Sequence, residues 1–369
     1  MTVPLVNLRP AIEATSPRWR ALVEAMFARG QFILGEQVAA FEREFAASQG
    51  ARCAVGVGSG TAAIELCLRA AGITERRQEV ITSPLTAPFT GLAILAAGAS
   101  PSFADVDPET LLLDPADVER RAGKRTAALV PVHLYGQPCD LARLARLARK
   151  LGLVLVQDAC QAHGARYGGR PLTRFSSYVA YSFYPTKNLG CLGDGGAVTT
   201  DSNAVARRVR LLRDGARVRG HVSVAPAVNS RLDEIQACYL SAFLPHLEKW
   251  NAGRARIAAL YDEALAGVAQ VRPLARASGS VNHLYVIRAR RRERLRQHLA
   301  RLGIGTGIHY PVPLHLQPAF RECGLGRGDL PHAERAAREI LSLPIWPSFN
   351  ESDVGRVADA IRVFYRAPC

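Results

Sequence analysis

An apolar run ends in an aspartate in the segment LVLVQDACQAHGARYGG, residues 153–169. The segment before it, LARLARLARK (141–150), repeats leucine every three residues, as a helix with one buried face does. Further short apolar runs lie at 79–82, 127–132, 179–182 and 197–200. They alternate with helical patterns at 61–70, 87–97 and 115–122. This alternation predicts an α/β fold in which helices cover both faces of a mostly parallel sheet.

The length of 369 residues favours two packed domains. Two helical patterns in 231–266 break near Pro245, and we place the domain boundary just beyond this break. A large α/β domain is expected over residues 1–247 and a smaller α+β domain over residues 248–369. The smaller domain is predicted to contain strands at 283–289 and near 307–310, and helices at 291–301, 331–341 and 351–365.

The composition is that of a folded soluble protein, with 48% apolar and 21% charged residues. The N-terminus lacks the basic start and apolar run of a signal peptide, and no apolar stretch approaches the roughly 20 residues of a membrane-spanning helix. We therefore expect a cytoplasmic protein with no membrane segment. Eight cysteines occur singly, without metal-ligand spacing, so neither a metal site nor disulfides are expected.

The net charge of +15 is the difference between 47 basic and 32 acidic residues, and only four of the basic residues are lysines. The arginines are spread over amphipathic segments, and no basic tail or nucleic-acid-binding motif accompanies them. This pattern argues against nucleic acid as a partner. It favours attraction of acidic small molecules.

A first candidate site lies in GVGSGTAAIELCL, residues 56–68, where a strand passes through glycines into a helix. Free backbone N–H groups and the helix dipole at such a start bind anions. Gly60 would allow close approach, and Thr61 adds a hydroxyl. A tight strand–helix turn without a ligand is an equally good interpretation of this segment alone.

Asp158 follows an apolar strand at the edge where ligands lie in open α/β sheets. A helix N-cap is one interpretation of this aspartate, but a partner for a buried cation is the better one. Lys187, in SFYPTKNLG, is one of four lysines in a chain that otherwise uses arginine. Lysine forms a Schiff base and arginine does not, although a surface turn could also hold a lysine. An anion site, an aspartate and such a lysine are together what pyridoxal 5′-phosphate requires.

Several segments resemble those of the DegT/StrS-type sugar aminotransferases, a family of fold type I enzymes that depend on pyridoxal phosphate. The resemblance runs from about residue 3 to 363 and rests on SGT (59–61), VHLYGQPCDL (132–141), QDACQAHGA (157–165), SFYPTKNLGCLGDGGAV (182–198), NSRLDEIQA (229–237) and GIHYPVPLHLQPAF (307–320).

The resemblance implies a role for each matching residue. Lys187 would bind the cofactor as a Schiff base and later move the proton, and Asp158 would pair with the ring nitrogen. Gln161 would bind the phenolic oxygen of the ring. The other implied contacts are with the cofactor phosphate (Gly60, Thr61 and Ser182), with the cofactor of the partner subunit in a homodimer (Asn229) and with the sugar end (His163, His309, Tyr310 and His315).

One position departs from the family pattern. The family usually stacks an aromatic side chain on the cofactor ring, and SPLTAPFT (83–90) aligns Ala87 with it. Either Phe89 or Leu85 covers the ring instead, or the stacking contact is lost.

The resemblance implies two half-transaminations, from an amino acid, L-glutamate, to a nucleotide-linked keto-sugar. The 305–320 loop resembles that of enzymes acting at the C3 position of the sugar. A keto-cyclitol acceptor is an alternative substrate. A regulator that keeps the fold without catalysis is an alternative of another class, supported by the missing aromatic at Ala87.

Overall fold

A computed structural model of the protein describes residues 2–366. The helices are α1 (Arg9–Arg29), α2 (Glu36–Gln49), α3 (Gly60–Ala70), α4 (Pro88–Ala97), α5 (Pro115–Arg121), α6 (Leu141–Leu151), α7 (Asn203–Arg213), α8 (Glu234–Phe243), α9 (Leu247–Leu265), α10 (Arg292–Arg301), α11 (Pro331–Glu339) and α12 (Glu351–Arg366). The strands are β1 (Cys53–Val57), β2 (Glu79–Thr82), β3 (Ser100–Phe103), β4 (Thr126–Val130), β5 (Val154–Leu155), β6 (Gln157–Asp158), β7 (Arg166–Tyr167), β8 (Arg170–Pro171), β9 (Val179–Ser182), β10 (Gly196–Thr200), β11 (Arg217–Val218), β12 (Val222–Ser223), β13 (Val271–Pro273), β14 (Tyr285–Ala289) and β15 (Ile340–Leu343).

The central sheet consists of two four-stranded halves. One half has the order β3-β2-β4-β5 and is parallel throughout, and the other has the order β1-β10-β9-β6. In the second half β6 and β9 are parallel, whereas β10 is antiparallel to both of its neighbours. The halves are joined where the N–H of Val156 donates to the carbonyl of Leu129, at 2.9 Å, and that of Asp158 to the carbonyl of Pro131, at 3.0 Å. The predicted α/β fold with a mostly parallel sheet is confirmed.

Apolar helix faces cover the sheet because their sequences repeat with the period of a helix. In α6, Leu144 and Leu147 are buried in one cluster, whereas Ile64 and Leu68 of α3 belong to another. Local chemistry sets the bounds of α6: the carboxylate of Asp140 accepts from the N–H of Arg143 at 3.1 Å, and Gly152, with φ of 68°, ends the helix.

The C-terminal part of the chain carries a separate antiparallel sheet of order β13-β14-β15. The predicted break near Pro245 is confirmed, since a short 3-10 turn, Leu244–His246, separates α8 from α9. The beginning of the chain reaches this part of the molecule, because the N–H of Val3 donates to the carbonyl of Gly303 at 2.8 Å. The domain boundary after residue 247 stays a prediction.

One prediction in this region was wrong, and another was confirmed except for its last two residues. The strand expected near 307–310 is reduced to one bridge between Gly307 and Ser342, and the loop then turns away toward a cavity. The helix expected at 331–341 ends at Glu339, because the fully buried Ile340–Leu343 pairs with β14 instead. None of the described helices combines the length and the apolar character needed to cross a bilayer.

Candidate active site

A cavity of about 830 Å³ opens at the carboxyl ends of β1, β6 and β9. We call it the Lys187 cavity. Its wall includes eight of the predicted site residues, namely Gly60, Thr61, Asp158, Gln161, Ser182, Lys187, His309 and Tyr310. The fold therefore brings together groups that lie up to 250 residues apart in the chain, as expected for the strand ends of an open α/β sheet.

The turn from β1 into α3 forms the first wall. Ser59 caps the helix, since its hydroxyl accepts from the N–H of Ala62 at 3.1 Å. A Cβ at Gly60 would lie 2.5 Å from the Cβ of Ser182 and 2.8 Å from the Sγ of Cys160, so only glycine fits there. The close approach places the start of α3 and the hydroxyls of Thr61 and Ser182 on one cavity. Such a helix start suits a phosphate.

Asp158 ends β6 and is buried, with 4% of its surface exposed. Its carboxylate accepts from the hydroxyl of Thr90 at 2.8 Å and from the N–H of Cys160 at 3.1 Å. Among residues 2–366 no arginine, lysine or histidine forms an ion pair with it. Because an unpaired buried carboxylate is costly, this arrangement suits a cationic ligand such as a protonated ring nitrogen.

Lys187 lies in the loop after β9, where its N–H donates to the carbonyl of Tyr184 at 2.8 Å. Burial lowers the pKa of its ammonium below the usual value, although the nearby Cys160 and Asp158 oppose the shift. A lowered pKa increases the fraction of neutral amine, which is the form that attacks a carbonyl.

Gln161 and Tyr310 form the opposite wall. The amide nitrogen of Gln161 donates to the Tyr310 hydroxyl at 3.2 Å, and its oxygen accepts from the N–H of Tyr135 at 2.7 Å. The hydroxyl of Tyr135 donates to the carbonyl of His309, so the 305–320 loop is held against the wall. Burial and the charge of Lys187 lower the pKa of His309 to about 4.

Known proteins are similar to this chain in both sequence and structure. The sequence model of the DegT/DnrJ/EryC1/StrS aminotransferase family matches residues 15–362. A dTDP-3-amino-3,4,6-trideoxy-alpha-D-glucose transaminase from Streptomyces venezuelae is 43% identical over 362 residues, covering 98% of this chain and 95% of that protein. A pleiotropic regulatory protein from Geobacillus stearothermophilus is 40% identical over 371 residues, covering 99% of each. The chain belongs to the DegT/DnrJ/EryC1/StrS aminotransferase family.

The structural likeness is equally extensive. The crystal structure of DesV from S. venezuelae, in complex with a ketimine intermediate, has a TM-score of 0.96 and 42% identity and covers 100% of both chains. The protein is thus a pyridoxal phosphate-dependent aminotransferase of fold type I. The Lys187 cavity fits this cofactor on its own evidence, because it combines a glycine cradle, a buried carboxylate without a cation and a lysine of lowered pKa.

Two histidines that we expected at the sugar end of this aminotransferase lie elsewhere. His163 has no exposed surface and packs against Phe45, Tyr181 and Phe183. Burial and the charge of Lys187 lower the pKa of His163 to about 3, although a hydrogen bond with the backbone of Ser182 opposes the shift. The expectation of a substrate contact is corrected, because aromatic rings enclose this side chain.

His315 is also buried and does not line the cavity. Its Nε2 lies 3.3 Å from a carboxylate oxygen of Glu334, so it belongs to the packing between the 305–320 loop and α11. Asn229 is exposed and lies off the cavity wall, where its backbone pairs with Asp214. A contact between Asn229 and the cofactor of a partner subunit stays a prediction.

The region around Ala87 decides between two of the alternatives for the ring-stacking residue. Leu85 is fully buried in a core cluster and does not line the cavity. Phe89 lies on the wall together with Ala87 and is 58% exposed. Phe89 is therefore the aromatic side chain of this segment that is available to the cavity.

Two residues of the site were missed in the sequence. Thr90 binds Asp158 across 68 positions of the chain, and its spacing of four from Thr86 in SPLTAPFT was the only available signal. His283 lies on the cavity wall at the beginning of a strand pattern. Nothing in NHLYVIRA distinguishes this histidine from a packed one.

Proposed function

We propose that the protein is a cytoplasmic aminotransferase that moves an amino group from L-glutamate to a keto-sugar linked to a nucleoside diphosphate. The observation that carries the proposal is that the buried carboxylate of Asp158 and the side chain of Lys187 line the same cavity. Pyridoxal phosphate supplies an electron sink when it is bound there. The name of the relative from S. venezuelae supports the sugar substrate.

Each residue then has a defined task. Lys187 would hold the cofactor covalently, and its amine, once free, would take up and return the proton of the substrate carbon. Asp158 keeps the ring nitrogen protonated, and the Thr90 hydroxyl fixes the orientation of that carboxylate. Gln161 binds the phenolic oxygen from the wall that it shares with Tyr310. The phosphate is held by Gly60, Thr61 and Ser182.

The acceptor enters beside the 305–320 loop. His309 and Tyr310 line this end, and a cavity of about 830 Å³ has the size of sites that bind ligands of this class. We assign amination to the C3 position, because the loop resembles that of C3 enzymes and the S. venezuelae relative carries a 3-amino name.

The working unit is a homodimer with shared active sites. Exposed apolar side chains, Val218, Val222 and Val224, lie on and beside the β11–β12 hairpin, and Asn229 follows a few residues later. An apolar hairpin that leads to an exposed polar residue is suited to reach a second subunit.

The substrate assignment is tested by single-turnover amino transfer. The protein is loaded with pyridoxal phosphate, converted with L-glutamate and freed of excess donor. A dTDP-linked 3-keto-sugar should then receive the amine, whereas the same sugar without the nucleotide and a keto-cyclitol should not. Transfer to the cyclitol alone would overturn the nucleotide-sugar assignment.

A regulator without catalysis is the second candidate, favoured by the name of the G. stearothermophilus relative. It predicts tight cofactor binding and no release of 2-oxoglutarate from L-glutamate. Stoichiometric release of 2-oxoglutarate, absent in Lys187→Ala, would exclude this candidate.

A further inference from the structure

A chain of two side-chain amides fixes the proton position on a histidine of the cavity wall. The amide nitrogen of Asn251 donates to the carbonyl of His163 at 2.9 Å, so its oxygen is left to accept. That oxygen accepts from the amide nitrogen of Asn188 at 2.8 Å, and the same nitrogen donates to the carbonyl of Val281 at 3.0 Å. The amide of Asn188 therefore has only one possible orientation.

The orientation of the Asn188 amide determines the tautomer of His283. Its Nδ1 lies 3.1 Å from the amide oxygen of Asn188, which can only accept. Nδ1 must therefore carry the hydrogen, and Nε2 of the neutral ring is a bare acceptor. Within residues 2–366 Nε2 has no hydrogen-bond partner, and the residue lines the cavity that also contains Lys187.

The backbone around His283 is fixed on both sides. Its N–H donates to the carbonyl of Tyr135 at 2.9 Å, and its carbonyl accepts from the guanidinium of Arg254 at 3.2 Å. Asn188 directly follows Lys187, so one loop positions both the lysine and the amide that orients the imidazole.

The surroundings keep this imidazole neutral. Burial lowers the pKa of His283 well below 6.5, and the positive charges of Lys187 and Arg254 lower it further, as would protonation of His309 or His163. At neutral pH the ring can accept a hydrogen bond without taking the proton.

We propose that His283 is a positioning residue for Lys187, whose side chain turns on leaving the cofactor so that its amino group donates a hydrogen bond to the bare Nε2 on the same cavity wall. This role rests on the proposed function, in which Lys187 leaves and rejoins the cofactor in every half-reaction. The acceptor holds the free amine in the cavity and stabilises its charged form, so it raises the pKa of Lys187 against the effect of burial.

The tautomer is tested by the ¹⁵N spectrum of the full chain labelled at histidine, without cofactor, at pH 7.5. His283→Gln assigns the signal. His133 is an internal control with the opposite tautomer, because its Nδ1 accepts from the N–H of Cys139 at 3.1 Å and its Nε2 faces the Gln157 amide oxygen at 3.0 Å. We expect hydrogen on Nδ1 of His283 and on Nε2 of His133. Hydrogen on Nε2 of His283, or on both nitrogens, would overturn the proposal.

The effect on the lysine is tested by the pH dependence of Lys187 modification with an amine reagent, read by peptide mass spectrometry in the same cofactor-free protein. We expect His283→Leu to lower the pKa of Lys187 by roughly one unit, and His283→Gln, which retains an acceptor, to lower it by less. His221→Gln, at an exposed position away from the cavity wall, should leave it unchanged. Equal pKa values in wild type and His283→Leu would contradict the role.

Both measurements omit cofactor and substrate, so they separate this proposal from the proposed function. A protein that fails to aminate any nucleotide-linked sugar can still show the expected tautomer and pKa shift. If His283→Leu does not fold, the wild-type spectrum and the Gln variant decide the question.

Discussion

Two cavities of nearly equal size lie in this molecule, and their walls differ in charge. The Lys187 cavity, of about 830 Å³, has one lysine and two aspartates on its wall and no arginine from the described chain. A second cavity, of about 850 Å³, lies beside β14, α10 and α11 and is lined by eight arginines and two glutamates. We call it the arginine cleft, after Arg272, Arg288, Arg290, Arg291, Arg292, Arg294, Arg335 and Arg338.

The difference shows where the charge of +15 is placed. In the arginine cleft Glu339 binds Arg288 at 2.7 Å and Arg335 at 2.9 Å, as on an ordinary solvated surface. In the Lys187 cavity the charges are few, and burial changes their protonation. The arginine-rich mouth that would suit a nucleotide-linked acceptor is not formed by the described residues of one chain. Reactivity follows burial and residue type rather than net charge.

The largest expected effect is a loss of amino transfer on mutation of the Lys187 cavity but not of the arginine cleft. Lys187→Ala should lower amino transfer on the order of 10⁴-fold or more, because no other group there forms a Schiff base. Lys187→Arg keeps the charge and should be equally inactive. Arg338→Ala, in the arginine cleft, should change the rate by less than about twofold. Rates are measured as 2-oxoglutarate release. A tenfold loss in Arg338→Ala would show that the cleft takes part.

The next largest loss of rate is expected at Asp158, the buried carboxylate without a cationic partner among the described residues. Asp158→Asn should lower the rate roughly 10²-fold or more, because a neutral amide does not hold the ring nitrogen protonated. Thr90→Val should cost about tenfold, since it leaves one carboxylate oxygen unpaired and free to turn. Single-turnover rates with L-glutamate check the order of the two variants. A Thr90→Val rate equal to that of wild type would remove Thr90 from the site.

A smaller effect is expected at the glycine cradle. Gly60→Ala would push its Cβ against Ser182, so the Kd of pyridoxal phosphate should rise by about tenfold, or about 1.4 kcal/mol. Gly123→Ala is the matched control, because a Cβ there meets no atom within 4 Å. Fluorescence titration gives both constants. Equal Kd values would mean that the cradle does not hold the phosphate.

The last effect concerns stability, and it is a pH dependence that the arginines cannot produce. Burial lowers the pKa of His133 to about 4 and of His163 to about 3, below the usual 6.5. Between pH 6.5 and 4 the unfolded chain therefore binds more protons, and the free energy of unfolding falls as the pH falls. Each histidine contributes about 1.4 kcal/mol per pH unit.

Urea unfolding at pH 7.5, 6.0 and 5.0 checks this dependence. His163→Phe should flatten the slope by about one proton, because phenylalanine suits the surrounding aromatic rings. His221→Gln, at an exposed position, should leave the slope as in wild type. An unchanged slope in His163→Phe would mean that this ring is protonated in the folded state.

Sequence reasoning succeeded where a residue type or a period carries the information. Apolar runs predicted β2 and β9 at the residues observed, and a lone lysine after a strand pointed to Lys187. It failed where position depends on packing between distant segments. His163 follows Asp158 closely in sequence but turns into an aromatic cluster, whereas His283 reaches the cavity from another part of the chain. Neither the Thr90–Asp158 contact nor the amide chain behind His283 has a local pattern.

The central claim is that one lysine, in the less charged of the two cavities, binds the cofactor. We would add pyridoxal phosphate to the purified protein, reduce the adduct with borohydride and map the modified peptide. We expect modification of Lys187, loss of the visible absorbance band in Lys187→Ala and its retention in Lys150→Ala, because Lys150 is an exposed lysine paired with Glu119. A band that persists in Lys187→Ala, or a label on Lys124, Lys150 or Lys249 instead of Lys187, would contradict it.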